Sequence, residues 1–311
     1  MIQTNGLSKR YDGTLALDSV DLNVPEGIRS IGLLGENGAG KTTLIKLLLG
    51  LIRPTAGSGR VLGFDILGEG LQVRRYVGYM PEHECLPPDL TAMDFVTRMG
   101  TLSGLPHRVA IRRASDVLYL VGLGEERLRS MGGFSSGMKQ RVKLAQALVH
   151  DPKLVFLDEP TSGMDPTGRA EMLDLIEAIS SSLKISIVLS SHLLLDIERL
   201  CESIVMLNAG RVITQGDLRS VISAQECVSI MALGEHVDRF IGEIKEKGLW
   251  VKRDGSEFLV ELRGDQTYDI IMNEAARADV QIRRLEHRSS SLETLFIRTL
   301  GEAREPGAKS G

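Results

Sequence analysis

Short apolar runs separated by glycine-rich and polar turns fill the N-terminal part of the chain. Residues 2–7 and 15–24 read as strands, the second closed by Pro25-Glu26-Gly27. Residues 30–34 form a further strand, and 44–49 make a helix-like apolar run. After a turn over 53–59, residues 59–64 and 77–80 read as strands. The spacing becomes helical over 91–129, where Met93, Val96, Met99 and Leu102 recur, then Val109, Val117, Leu120 and Val121. The methionines there read as core fillers. Another helix runs through Val149 and is broken by Asp151-Pro152. Four consecutive apolar residues, Leu154 to Leu157, suit a strand buried on both faces of a parallel sheet. A helix over 166–180, a buried strand over 185–189, a helix ending near Cys201, a strand over 203–208 and a hairpin at Gly210-Arg211-Val212-Ile213 complete this pattern.

Polar residues of one chemical kind fall where the buried strands end. Gly35-Glu36-Asn37-Gly38-Ala39-Gly40-Lys41-Thr42-Thr43 fits G-x-x-x-x-G-K-[ST] between a strand and a helix. Glycines let such a loop wrap phosphates, and the helix N-terminus adds positive partial charge. Lys41 would reach the β- and γ-phosphates, and Thr42 would offer its hydroxyl to magnesium. Asp158 and Glu159 end the 154–157 run, and burial alone does not explain two carboxylates there. His192 follows the strand over 185–189 behind two serines. The carboxyl edge of a parallel sheet is where ligands bind, so Lys41, Asp158, Glu159 and His192 form one candidate site.

Bulk properties narrow the class. The chain has 311 residues, 42% hydrophobic and 25% charged, which suits two domains with a real core. A net charge of −4 without a long basic run argues against a nucleic-acid grip made mainly of phosphate contacts. The three cysteines, Cys85, Cys201 and Cys227, are too scattered for a metal cluster or disulfide framework and read as buried or neutral thiols in a reducing cytoplasm. No apolar run reaches the roughly 20 residues that span a bilayer. A membrane role is therefore expected to come through a partner.

These motifs, in this order and spacing over residues 1–220, resemble the ATP-binding subunit of ABC transporters. The resemblance implies a P-loop NTPase core of α/β class, with an antiparallel β subdomain and a helical subdomain at about 87–150. It also assigns roles. Gly35 to Thr43 would hold the phosphates of ATP, and Asp158 would hold Mg2+ through water. Glu159 would be the general base that orients the attacking water, and His192 the switch histidine at the γ-phosphate. Ser162-Gly163-Met164-Asp165 would be the loop linking two sites across a dimer. Tyr11 matches the aromatic that stacks on adenine; its spacing alone fits a turn tyrosine equally well. Phe134 to Gln140 resembles the signature L-S-G-G-Q, keeping Ser135 and Gly137 but with Ser136 and Met138 in place of a glycine and a glutamine. That motif serves the ATP of the opposite subunit, which implies a head-to-tail homodimer closed on two ATP molecules. Glu82, after Pro81, stands where the family commonly has a glutamine that touches magnesium; a glutamate still ligates a hard cation. Glu82 and the altered signature look like the branch serving ABC-2 type exporters. That branch implies a separate transmembrane permease subunit, no nucleic acid, and a place on the inner face of the cell membrane. Residues 87–129 would face the permease.

After about Gly216 the nucleotide motifs stop. Residues 221–311 read as a C-terminal accessory domain of order β-α-β-β-α-β-α, a small α+β ferredoxin-like unit with a final helix over 291–300 and a loose tail over 301–311. Trp250, the single tryptophan, reads as core. Dimer stabilisation and regulation are the leading roles for this domain. Two rival readings exist for the whole chain. One is a soluble ABC ATPase in translation, DNA repair or cofactor assembly, which the single phosphate loop and the lack of long heptads disfavour. The other is direct cargo recognition by the C-terminal domain, which an α/β pattern and 4% aromatic residues disfavour.

Overall fold

The computed structural model describes residues 1–83, 85–223, 227–262, 264, 266–288, 292 and 296. The chain divides into two compact units, Met1–Asp217 and Leu218–Gly311.

The first unit opens with β1 (Ile2–Tyr11) and β2 (Thr14–Val24), a long antiparallel pair with register shifts that buries Leu17, Val20, Leu22 and Val24. Next come β3 (Ser30–Leu34), α1 (Lys41–Leu48), β4 (Ala56–Val61), β5 (Phe64–Asp65), α2 (Gly70–Tyr76) and β6 (Val77–Met80). Three helices follow: α3 (Ala92–Leu102), α4 (His107–Leu120) and α5 (Ser136–Leu148). The unit then alternates β7 (Leu154–Asp158), α6 (Pro166–Leu183), β8 (Ser186–Ser191), α7 (Leu194–Leu200) and β9 (Ser203–Asn208), and closes with β10 (Arg211–Asp217). Two sheets result. An antiparallel sheet has the order β2-β1-β4-β5, and a six-stranded sheet has the order β10-β9-β3-β8-β7-β6. In the latter only the β10–β9 pair is antiparallel. Every residue of β7 is buried, as its unbroken apolar run requires of a central parallel strand.

Local chemistry sets the helix starts. Thr91 caps α3 by accepting from the Asp94 N–H, and its hydroxyl donates to the Asp94 carboxylate. Ser135 caps α5 by accepting from the Met138 N–H, and Pro166 stands in the first turn of α6.

Two expectations change. The strand expected over 59–64 is two short strands, because Leu62 and Gly63 both take positive φ and turn the chain. The helical stripe over 91–129 is shifted. Phe95, Val96, Ala110, Ala114, Val117 and Leu118 are buried, Met93 and Met99 are only half-buried, and Leu102 is 80% exposed. Helix α2 gave no signal, since Val73 is its only buried residue.

One glycine fixes a close approach. A Cβ on Gly78 in β6 would lie 2.1 Å from the Ala147 carbonyl oxygen of α5. The Gly78→Ala variant is therefore expected to lose about 1–3 kcal/mol of stability, read as a lowered denaturation midpoint. An unchanged midpoint would mean that α5 is free to move away from the sheet.

The second unit consists of α8 (Leu218–Ser223), β11 (Cys227–Leu233), α9 (Val237–Glu246), β12 (Val251–Asp254), β13 (Glu257–Glu261), α10 (Gln266–Arg277) and β14 (Gln281–Arg288). Its sheet has the order β12-β13-β11-β14, antiparallel throughout. That is the ferredoxin-like arrangement, in which two β-α-β crossovers interleave. Helices α9 and α10 cover a core of Val228, Ile230, Phe240, Ile244, Phe258, Val260 and Ile271. Trp250, expected in the core, is half-buried and is not part of this cluster. The final helix expected over 291–300 and the tail over 301–311 lie outside the described residues, apart from Leu292 and Phe296. All three cysteines are free thiols; Cys201 and Cys227 are buried and Cys85 is exposed.

Candidate functional site

Strand register brings the chemistry to one edge. Leu34 pairs with Ser191, Asp158 with Ser190, and Met80 with Leu157. Four parallel strand ends are thus level, and Gly35, Glu159, His192 and Pro81 each begin a loop on the same side.

The first loop is shaped by glycine. Gly40 has φ +102° and caps α1; a Cβ there would lie 2.7 Å from both the Ala16 carbonyl and Leu17 Cδ2. A Cβ on Gly35 would lie 2.6 Å from the Leu207 carbonyl. Only glycine lets the loop lie this close to its neighbours. Glu36, Asn37, Gly38, Gly40, Lys41, Thr42 and Thr43 line a cavity of about 270 Å³, and Ala16, Glu82 and Glu159 complete it. Ala39 is buried beneath.

Lys41 is 6% exposed. Its Nζ donates to the Gly35 carbonyl at 2.7 Å and lies 3.4 Å from Glu159 Oε1. The other oxygen of Glu159 lies 2.9 Å from His192 Nδ1. Glu159 is itself buried and has φ +50°, a left-handed conformation that costs a non-glycine residue about 1–3 kcal/mol. Its N–H donates to the Ser190 carbonyl at 3.0 Å. A buried carboxylate thus stands between an ammonium and an imidazole at the mouth of a phosphate-shaped loop. That arrangement suits orienting and deprotonating a water.

Asp158 is fully buried. Its Oδ2 accepts from the Thr42 hydroxyl at 2.8 Å and, weakly, from Tyr79 at 3.5 Å. Its Oδ1 has no hydrogen-bond partner, nor has the buried Ser190 hydroxyl. A carboxylate oxygen left open beside a hydroxyl fits a hard cation such as Mg2+. Among the described residues no three His, Cys, Asp or Glu side chains could hold a metal alone. Such an ion would therefore also need phosphate oxygens and water, as magnesium commonly does. Glu82 lines the cavity, and its backbone carbonyl accepts from Lys143 at 2.8 Å. No hydrogen bond joins its carboxylate to Thr42 or Asp158.

Tyr79 was not anticipated from the sequence. Burial, then the Asp158 charge, push its hydroxyl well above the usual tyrosine range. The available signal was its place next to the end of β6, three residues before Glu82.

The remaining anticipated residues do not line this cavity. Ser135 is exposed at the start of α5, Gly137 is half-buried, and Asp165 is exposed before α6. Tyr11 is 42% exposed at the β1–β2 turn, with Lys9 Nζ 4.9 Å from its ring centre.

The family described as ABC transporter matches residues 17–162. An uncharacterized ABC transporter ATP-binding protein, YxlF of Bacillus subtilis (strain 168), is 33% identical, over 96% of this chain and 99% of its own. The daunorubicin/doxorubicin resistance ATP-binding protein DrrA of Streptomyces peucetius is also 33% identical, over 96% and 92%. A solved ATP binding subunit of an ABC transporter is 33% identical, with a TM-score of 0.62 over 71% of this chain and 91% of its own. The ATP-binding cassette MJ0796, solved as a dimer in a post-hydrolysis state bound to ADP and Pi, shares the fold at a TM-score of 0.64 and 24% identity, over 70% of this chain and 99% of its own. The chain belongs to the ATP-binding proteins of the ABC transporter family and is an ATP hydrolase.

Proposed function

We propose that this chain is the nucleotide-binding subunit of an ABC-2 type exporter, which closes as a homodimer on two Mg-ATP and drives a separate membrane subunit. The observation that carries this reading is the linked set Lys41–Glu159–His192 beside Thr42–Asp158 at one sheet edge. Lys41 neutralises charge near the terminal phosphates, Glu159 takes a proton from the attacking water, and His192 holds the Glu159 carboxylate in place. Thr42 and Asp158, with Glu82 nearby, would hold magnesium, which supplies charge neutralisation at the phosphate oxygens. Tyr11 stacks on the adenine.

Ser135, Gly137 and Asp165 lie outside the cavity of their own chain, and this favours their serving the partner's nucleotide. Export is supported by relatives named for bacitracin transport and Nod factor export, 38% and 30% identical to this chain. No described helix is long and apolar enough to cross a membrane, which suits a subunit held at the inner face by its permease. Exposed apolar residues at Leu102, Tyr119 and Leu128 give the helical subdomain a surface for that contact. Nucleic acid has no part in this reading. Residues 221–311 act as an accessory domain in dimer stabilisation or regulation.

A site shared across two chains makes a kinetic demand. Phosphate release per chain is expected to rise with protein concentration, require magnesium, and fade on dilution. A rate per chain that stays constant over a hundredfold dilution would rule out the shared site.

A further inference from the structure

Asp196, in the first turn of α7, is a carboxylate only 1% exposed. It does not line the nucleotide cavity, yet both its oxygens are held. Oδ2 accepts from the Thr161 hydroxyl at 2.9 Å. Oδ1 accepts from Arg169 Nε at 2.7 Å, with Arg169 Nη2 at 2.5 Å. Thr161 is two residues past Glu159, Arg169 four past Asp165, and Asp196 four past His192. One buried side chain therefore ties together the three segments that carry the general base, the inter-subunit loop and the switch histidine.

We propose that Asp196 is a positioning residue for ATP hydrolysis, holding Glu159 and His192 in register through Thr161 and Arg169. This rests on the reading of the site as an ATPase. Glu159 sits in a left-handed conformation that persists only when the chain on both sides is held. On the N-terminal side its own N–H is anchored to the Ser190 carbonyl. On the C-terminal side its carbonyl accepts from the Ser162 N–H at 3.1 Å, and the side chain that fastens this turn to the rest of the unit is Thr161, through its hydroxyl on Asp196. His192 leads directly into the helix bearing Asp196, so the same carboxylate fixes both members of the 2.9 Å Glu159–His192 contact. Stability alone gives a poor account of this cluster, because a well-packed apolar group commonly matches or exceeds a buried ion pair. Arg169 on one oxygen and the Thr161 hydroxyl on the other fix the orientation of the carboxylate, which a positioning role needs.

The test compares Asp196→Asn and Thr161→Val with the unsubstituted chain, after nucleotide-binding stoichiometry has set the number of competent sites. Each variant is expected to lower kcat about ten- to hundredfold, since a small misplacement of reacting groups has effects of that order. The KM for ATP should stay within about twofold, because Lys41 and the phosphate loop are untouched. Thr161→Ser, which keeps the hydroxyl, should restore most of kcat. In a Glu159→Gln background Asp196→Asn should lower the residual rate less than about twofold, because the group it positions is already gone. A merely structural role would give the same fractional loss in both backgrounds, and that result overturns the proposal. So would wild-type kcat in Thr161→Val. Absence of phosphate release from the unsubstituted chain would instead overturn the ATPase reading itself, and the proposal with it.

Discussion

Glu159→Gln is expected to reduce ATP hydrolysis by about 10²–10⁴-fold while leaving nucleotide binding intact. The substitution keeps the shape of the side chain and removes its charge and basicity. The amide can still face His192, which lies 2.9 Å from Oε2 in the native chain. Lys41 loses a carboxylate 3.4 Å away but keeps the Gly35 carbonyl at 2.7 Å, so the loop holds its form. With hydrolysis stalled, ATP and magnesium should convert the variant to a dimer that persists through gel filtration, and ADP should not. Phosphate release at the normal rate would show that another group acts as the base.

Lys41→Met should fail at an earlier step. A charge-assisted hydrogen bond to phosphate contributes about 1.5–3 kcal/mol, so ATP affinity is expected to fall at least tenfold, with turnover almost abolished. The chain without nucleotide should also be less stable. Glu159 is buried, and losing Lys41 strands its carboxylate without a cation; breaking a buried pair in this way costs about 3–5 kcal/mol. The double variant Lys41→Met with Glu159→Gln removes the stranded charge, so it should unfold at a higher denaturant concentration than Lys41→Met alone. Isothermal titration with ATP and urea denaturation separate the two effects. Unchanged affinity in Lys41→Met would remove the lysine from phosphate binding.

The sequence made the phosphate loop and the strand ends legible for a physical reason. A buried parallel strand must be an unbroken apolar run, so the polar residue that ends it is conspicuous, as at Asp158 and His192. The ferredoxin-like alternation was readable because α9 and α10 each bury one clear stripe, Phe240, Ile241 and Ile244 in the first, and Ile271 and Ala275 in the second. Helix α2 was not readable, because a surface helix with one buried residue has no period to detect. The face of α3 was misjudged because its buried positions include Ala92, Thr97 and Gly100, which carry little hydrophobic signal. Tyr79 and the Asp196 cluster were missed because each depends on residues distant in sequence that only the sheet register brings together.

The shared direction of β3, β7 and β8 has a practical corollary. Arg29, Lys153 and Lys184 lie just before these strands, at the rim facing away from the nucleotide. Lys184 is exposed at the end of α6. A fluorophore or affinity handle attached there would follow the subunit through its working cycle without intruding on its chemistry.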